Sequence, residues 1–288
     1  MPVSSLPATW QGRLADRLRR EFRKVTWRYR SLPNFLLIGC QKGGTSSLHG
    51  YLSQHPRLQP ADVKEVHFFD GGLHPRWDKY VEGERLYRSY FGWRGRLNSQ
   101  GRQSFEASPC YMFNPLAPSR MAAMVPDAKL IVLLRDPVER AISHYFHERR
   151  RGREALPILE AFQAETDRLA PVHASGNYKD VHWINFSYVA RGLYAEQLDR
   201  VFTHYPRERV LILESSDFYA ETKQTLAQIF DFLGLENTDL DVDLTPVGVG
   251  SNRKKVDSEV YDWLRARFVE PNARLEELLG RRFDWGRR

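Results

Sequence analysis

A glycine-rich segment between a buried strand and a helix is the feature of this sequence that most constrains its fold. The apolar run 34–39 predicts a strand, and two glycines follow it. Residues 45–52 begin with Thr-Ser-Ser and predict a helix with hydroxyl groups at its start. Backbone N–H groups at a helix N-terminus form an anion site where glycines allow close approach. We therefore predict that this loop binds an anion through Lys42, Gly43, Gly44, Thr45 and Ser46.

The position of the lysine distinguishes this loop from the Walker A pattern. In Walker A, G-x-x-x-x-G-K-[ST], the lysine follows the second glycine, and the hydroxyl residue after it binds magnesium. Here Lys42 precedes both glycines. A magnesium-dependent triphosphatase is therefore disfavoured, and a P-loop nucleotide or small-molecule kinase stays as the alternative. A glycine turn with a purely structural role is the other interpretation.

Further strand and helix patterns alternate along the chain. Apolar runs at 129–134 and 209–214 predict buried strands, and each precedes a helical pattern, at about 138–151 and 222–233. This alternation predicts a three-layer α/β fold, with a central parallel sheet flanked by helices and a P-loop-like anion-binding loop. Residues 167–183 are polar without a clear period, and we expect an irregular surface or substrate loop there.

Arg135 follows the second of these strands, where open α/β sheets bind their ligands. Its planar guanidinium can bind two phosphate oxygens at once. Asp136 suits the N-cap of the next helix, and Ser143 lies about two turns into it. The sequence therefore predicts a second anion site near Arg135.

The segment 64–70, Lys-Glu-Val-His-Phe-Phe-Asp, places a carboxylate and an imidazole beside aromatic residues. A glutamate near apolar groups can have its pKa raised and act as a base near neutral pH. Glu65 is therefore a candidate base, with His67 beside it. The alternative is a solvated Glu65 at a strand edge.

Charge and cysteine content limit the partners and the compartment. The chain has 43 Lys and Arg against 36 Asp and Glu, a net charge of +7, which favours anionic partners. A non-catalytic binder of anionic polysaccharide or nucleic acid is a third interpretation. The sequence shows no zinc pattern and no aromatic RNA signature, so we expect no nucleic-acid partner.

The two cysteines, Cys40 and Cys110, have no metal-ligand spacing and no disulfide pattern. We also find no secretory signal and no apolar run long enough for a transmembrane span. A cytoplasmic protein without a metal is therefore expected.

The segment Trp10–Arg30 is dense in Arg and Lys, with apolar residues at roughly helical spacing. We expect residues 1–32 to form a basic helical extension that Pro33 ends. The favoured interpretation is a helix packed on its own domain with a solvated basic face. The alternative is peripheral contact with an anionic membrane.

Several of these motifs together resemble those of sulfotransferases that use 3'-phosphoadenylyl sulfate (PAPS), particularly the heparan sulfate type and its bacterial relatives. The resemblance covers roughly Pro33 to Trp285 and implies a sulfotransferase domain over residues 33–288. The matching segments are Gln41–Ser46, Lys64–Asp70, Glu106–Tyr111, Arg135–Ser143, Tyr188–Tyr194 and Arg281–Trp285.

The resemblance implies transfer of a sulfuryl group from PAPS to a hydroxyl or amine of a glycan, lipid or small metabolite. Lys42 and the loop to Ser46 would bind the 5'-phosphosulfate, and Arg135 and Ser143 the 3'-phosphate. Glu65 would be the catalytic base, assisted by His67. A late loop that closes on the donor would fall at Gly250, Ser251, Asn252 and Arg253.

Two departures from the family pattern stand out. The heparan sulfate enzymes carry an active-site lysine where this chain has Ala107, so the acceptor or the mechanism is expected to differ. Their late loop reads Lys-Gly-Arg, whereas this chain has Val249-Gly-Ser251.

Overall fold

The computed structural model describes residues 10–236, 242–247 and 256–285, and of residues 10–16 the backbone alone. The expected loop residues Gly250 to Arg253 lie outside this range. Described helices cover most of the chain between the strands. They are α1 (Trp10–Val25), α2 (Thr45–Leu52), α3 (Gly83–Arg88), α4 (Arg94–Ser99), α5 (Ala117–Met124), α6 (Pro137–Arg150), α7 (Ile158–Gln163), α8 (Glu165–Ser175), α9 (Val181–Phe186), α10 (Tyr194–Phe202), α11 (Ser215–Ala220), α12 (Thr222–Leu233) and α13 (Ser258–Leu279).

Five parallel strands form one sheet in the order β2-β3-β1-β4-β5. They are β1 (Phe35–Gly39), β2 (Leu58–Pro60), β3 (Gln103–Ala107), β4 (Lys129–Leu134) and β5 (Val210–Glu214). The central position of β1 explains its unbroken apolar sequence, since a strand covered on both faces buries every side chain. All five residues of β1 are buried.

The two faces of the sheet carry separate cores. Leu36 and Ile38 of β1 point into one core, while Phe35 and Leu37 point into the other, as the two-residue period of a strand requires. Helices therefore cover both faces, and the predicted three-layer α/β fold is confirmed. The strands β2 and β3 were not predicted from the sequence.

The prediction of an irregular loop over 167–183 is wrong. Helix α8 spans Glu165–Ser175 and α9 spans Val181–Phe186. Their few apolar residues, including Leu169 and Trp183, meet Phe113 in a small core of their own. Because this core is small, most residues of α8 and α9 are polar, and their sequence shows no clear helical period.

Helix α1 packs on the domain differently from what its amphipathic pattern indicated. Among the side chains of α1 that the structure describes, from Arg17 onward, the buried one is Arg23. Its Nη1 lies 2.5 Å from Oδ2 of Asp62. Its Nε and Nη2 donate to the backbone carbonyls of Ser89 and Phe91, at 2.5 and 2.8 Å. These acceptors draw a basic side chain inward, and the apolar Phe22 is left 57% exposed.

Candidate active site

The anion loop runs from β1 to α2 at the carboxyl edge of the sheet. A Cβ at Gly43 would lie 2.6 Å from the carbonyl oxygen of Leu133, so only glycine fits beside β4. Gly44 precedes α2 with φ 102°, a left-handed conformation that favours glycine. The loop is thus folded tightly against the sheet, and the first turn of α2 presents Thr45 and Ser46 to a cavity.

Lys42 and Arg135 concentrate positive charge at this loop. Nη1 of Arg135 donates to the carbonyl oxygen of Lys42 at 2.9 Å. Burial lowers the pKa of Lys42, and the nearby cations Arg150 and Arg135 lower it further. Because like charges crowd around a partly desolvated ammonium group, a bound anion would relieve this repulsion. The site therefore favours an anionic ligand.

Helix α6 begins directly after Arg135. Oδ1 of Asp136 accepts from the backbone N–H of Val138 at 2.8 Å, so Asp136 caps the helix as predicted. Ser143 lies farther along the same helix and faces the cavity with Arg135. Arg135 and Ser143 thus form a second group of possible anion ligands, distinct from the N-terminus of α2.

The segment 64–70 returns to the same edge of the sheet after β2. The backbone N–H of Glu65 donates to the carbonyl oxygen of Ala107, the last residue of β3, at 3.0 Å. Glu65 and His67 have φ values of 61° and 51°, and with Lys42 they are the non-glycine residues of positive φ in the described ranges. Such conformations cost about 1–3 kcal/mol each and tend to cluster at functional sites.

Ion pairs fix the charge of Glu65. Its Oε1 lies 2.5 Å from Nζ of Lys64, and its Oε2 lies 3.4 Å from Nε2 of His67. Burial raises the pKa of Glu65, but the hydrogen bond to His67 and the charge of Lys64 outweigh it and lower the pKa to about 2. The expectation of a raised glutamate pKa is therefore wrong, because charged neighbours rather than apolar groups surround the carboxylate.

His67 is held from its other side by Asp70. Nδ1 of His67 lies 2.6 Å from Oδ2 of Asp70, and both side chains are buried. Burial lowers the pKa of His67, but the Asp70 charge and the hydrogen bonds to Asp70 and Glu65 raise it to about 11. At neutral pH the imidazole is therefore protonated and donates to both carboxylates.

The buried carboxyl group of Glu106, in the matching segment Glu106–Tyr111, supports the segment 64–70. Glu106 of β3 accepts hydrogen bonds from the hydroxyls of Tyr87 at 2.6 Å, Ser108 at 3.1 Å and Tyr111 at 3.2 Å. The Tyr111 hydroxyl also accepts from the backbone N–H of Phe68 at 2.8 Å. Burial raises the pKa of Glu106 to about 7. These hydrogen bonds hold the segment 64–70 against strand β3.

One cavity of about 1320 Å³ brings these groups together. Of the residues predicted from the sequence, its walls include Lys42, Gly44, Thr45, Ser46, Glu65, His67, Arg135 and Ser143. Gly43 instead packs beneath the loop. The cavity walls also include basic residues that the sequence reasoning missed, namely Arg150, Arg151, Arg153, Lys179 and Arg265.

The site differs from the family pattern at Ala107. Its methyl side chain carries no charge and is fully buried in β3, so this position offers no cation to the cavity. Cys110, which follows a few residues later, does reach the cavity wall. Together with His67 and Asp70, Cys110 forms the one group of possible metal ligands among the described residues. The ligand atoms of these three residues lie within 4.8 Å of one another. The linear spacing of the cysteines gave no sign of this arrangement.

The fold and this cavity define an α/β protein with a basic cavity at the carboxyl edge of a parallel sheet. Residues 32–247 match the family model described as a sulfotransferase domain. A solved sulfotransferase structure from Alicyclobacillus acidocaldarius superposes with a TM-score of 0.70 and 32% identity, over 90% of this chain and 100% of that one. The chain therefore belongs to the sulfotransferase family.

Two curated relatives show the breadth of this family. Mouse heparan sulfate glucosamine 3-O-sulfotransferase 3A1 is 32% identical over 207 residues, covering 72% of this chain and 47% of its own length. The membrane-associated sulfotransferase kil1 of Dictyostelium discoideum is 27% identical, covering 88% of this chain and 66% of its own length. The chain thus spans about half the length of the mouse relative. These matches support a sulfotransferase and not the kinase alternative.

Proposed function

We propose that the protein transfers a sulfuryl group from PAPS to a hydroxyl or amine of an acceptor. The observation that carries this proposal is the placement of Lys42 and Glu65 on the walls of one cavity. A displacement at sulfur needs positive charge at the leaving oxygen and a base at the attacking group. The two residues supply these requirements from separate loops at one sheet edge.

The donor would be held by its two anionic ends. The N-terminus of α2, with Lys42, Thr45 and Ser46, would bind the 5'-phosphosulfate through backbone N–H groups and side-chain donors. Arg135 and Ser143 would bind the 3'-phosphate. The segment with Gly250, Ser251, Asn252 and Arg253 is proposed to close over the donor, as the family resemblance implies.

In the transfer itself, Glu65 would accept the proton of the acceptor group as the new bond forms from sulfur to the hydroxyl oxygen or the amine nitrogen. Lys42 would stabilise the negative charge that develops on the bridging oxygen as the old S–O bond breaks, leaving adenosine 3',5'-bisphosphate. Sulfuryl transfer spreads charge over oxygens much as phosphoryl transfer does, so positioning and electrostatics dominate catalysis. Glu65 is ionised at neutral pH, which is the form that can accept a proton.

His67 has a different role from that of a second base. Because its pKa is raised to about 11, its imidazole carries a proton at neutral pH and cannot accept another. Its contacts with Glu65 and Asp70 instead hold the carboxylate in position. We assign His67 as a positioning residue that also adds positive charge to the cavity.

We also propose that the acceptor is an anionic glycan, that no metal ion takes part and that the protein is cytoplasmic. The names of the heparan sulfate relatives suggest a glycan acceptor, and the basic cavity wall suits an anionic one. Lys42 and the N-terminus of α2 supply the positive field, so a metal ion is not needed. Both cysteines are free, which is consistent with a cytoplasmic location.

The experiment is sulfuryl transfer from radiolabelled PAPS to a panel of glycans, lipids and small hydroxylated compounds. We expect labelled product in EDTA, and calorimetric binding of adenosine 3',5'-bisphosphate under the same conditions. Absence of nucleotide binding in EDTA overturns the proposal. Magnesium-dependent ATP turnover in place of sulfuryl transfer would establish the kinase alternative.

A further inference from the structure

The first helix presents its apolar side to solvent. Leu18, Phe22 and Val25 recur at helical spacing and are 61%, 57% and 79% exposed. Two exposed aromatic residues outside the helix, one just after it in sequence and one packed beside it, extend this surface. We call the five residues the outward apolar patch, formed by Leu18, Phe22, Val25, Tyr29 and Trp93.

The patch is an ordered surface held by aromatic contacts. The ring of Trp93 meets that of Phe22 edge-on, with centroids 6.3 Å apart, and lies 6.5 Å from that of Tyr29. The guanidinium of Arg30 lies over the same indole ring, at 4.8 Å from its centroid. Nη1 of Arg30 also donates to the carbonyl oxygen of Phe91 at 3.0 Å, which ties the cluster to the domain.

The anchoring of α1 keeps the patch facing outward. The buried Arg23 makes its contacts with Asp62, Ser89 and Phe91 on a different face of the helix from Leu18 and Phe22. Turning the apolar side toward the domain would break these hydrogen bonds and leave a buried charge without a partner. The helix is therefore fixed with its apolar side available to another surface.

Basic side chains border the patch. Between residues 17 and 30 the chain carries one acidic residue, Glu21, against seven basic ones: Arg17, Arg19, Arg20, Arg23, Lys24, Arg28 and Arg30. Arg17 and Arg28 are exposed, and Arg94 directly follows Trp93. Apolar and aromatic residues with basic neighbours are typical of helices that lie on anionic lipid. Tyr and Trp in particular favour the interface between headgroups and acyl chains.

We propose that the outward apolar patch binds the surface of an anionic lipid bilayer. A second copy of the chain is a poorer partner, because two such basic surfaces would repel each other. None of the five patch residues lines the catalytic cavity, so binding leaves that cavity free. This proposal is independent of the donor and acceptor of the reaction.

The test is flotation of the full chain with phosphatidylcholine vesicles that contain or lack phosphatidylglycerol. We expect binding to the anionic vesicles only, weakening as salt is raised. The double variant Leu18→Ser with Phe22→Ser should reduce this binding by roughly tenfold or more, because it removes apolar surface that enters the lipid. The matched control is Val81→Ser with Val269→Ser, two exposed valines elsewhere, which should bind as the wild type does.

A second pair of variants tests the charges. Arg17→Glu with Arg28→Glu should reduce anionic binding by roughly tenfold or more, since each basic residue near the surface contributes to attraction. Lys223→Glu with Arg282→Glu makes the same change in net charge away from the patch and should have a much smaller effect. The far-UV circular dichroism spectrum and the midpoint of thermal unfolding, unchanged in every variant, show that each one is folded.

Three results overturn the proposal. The first is a wild type that does not float with anionic vesicles at low salt. The second is equal loss of binding in the patch variants and their controls. The third is a dimer at the flotation concentration that Leu18→Ser with Phe22→Ser dissociates, because the patch would then be a contact between two copies.

Discussion

The Nε2 atom of His67 lies 3.4 Å from Oε2 of Glu65, and the same imidazole uses its Nδ1 to contact Asp70. A protonated imidazole between two carboxylates holds Glu65 ionised and oriented toward the cavity. This geometry distinguishes Glu65 from His67, which the sequence alone left as two candidates for the catalytic base. We therefore propose that Glu65 accepts the proton and that His67 positions Glu65.

The charge of His67 predicts how stability depends on pH. The native state keeps the imidazole proton up to about pH 11, whereas the unfolded chain loses it near the ordinary pKa of 6.5. Stabilisation by this proton is therefore complete below pH 6.5 and is lost as the pH rises toward 11. Between these values the free energy of unfolding of the wild type should fall more steeply than that of His67→Asn, by at most about 1.4 kcal/mol per pH unit. Denaturant unfolding from pH 6 to 10 measures both slopes, and parallel slopes would contradict the assignment.

Arg135 should recognise the 3'-phosphate of the donor. Arg135→Ala is expected to weaken binding of adenosine 3',5'-bisphosphate by roughly 1.5–3 kcal/mol, the worth of a hydrogen bond to a charged group. Because Arg135 also contacts the carbonyl oxygen of Lys42, the control ligand is adenosine 5'-phosphosulfate, which lacks the 3'-phosphate. Calorimetry should show a smaller loss for the control ligand. An equal loss for both ligands means that Arg135 acts through the loop alone.

The Glu106 network should matter to turnover as well as to stability. Tyr111→Phe leaves the backbone N–H of Phe68 without its acceptor, which costs about 1–3 kcal/mol of the free energy of unfolding. It should also lower turnover, because the segment that carries Glu65 loses a hydrogen bond that holds it in place. Tyr205→Phe is the matched control, since this buried hydroxyl donates to the carbonyl oxygen of Val125 away from the cavity. If the two folded variants lose turnover equally, the network has no specific role at the site.

The basic extension should contribute to stability but not to chemistry. A truncation that begins at Ser31 removes Arg23 and Arg30 and exposes the carbonyls that they contact. We expect a lower midpoint of thermal unfolding, with turnover on a soluble acceptor retained per folded molecule. Loss of turnover in a truncated chain that still binds the nucleotide would assign the extension to the active site.

The parts of the fold that the sequence predicted have strong, continuous patterns. The runs that became β1, β4 and β5 are almost wholly apolar because both faces of these strands are covered. The strand β3 carries the buried polar residues Ser104 and Glu106, so it lacks that pattern. The strand β2 has three residues, too few for any period.

The sequence indicated most of the residues that the structure brings to the wall of the candidate site, but not their electrostatics. The anion loop and Arg135 follow strands, and parallel strands bring such positions to one edge. The pKa of Glu65, in contrast, depends on Lys64 and on the link from His67 to Asp70. The backbone at Glu65 and His67 also takes left-handed conformations, which residue spacing does not reveal.

The most direct test of the account is the turnover of Glu65→Gln with saturating acceptor and PAPS. Loss of a general base typically costs about 10²–10⁴-fold in rate, so we expect a fall of that order while nucleotide affinity stays near that of the wild type. Glu214→Gln is the matched control, because this carboxylate also lines the cavity and its hydrogen bonds to Ser216 and Trp285 need only an acceptor. It should keep most of its activity. If folded Glu65→Gln keeps more than about a tenth of wild-type turnover, Glu65 is not the catalytic base and the central claim is wrong.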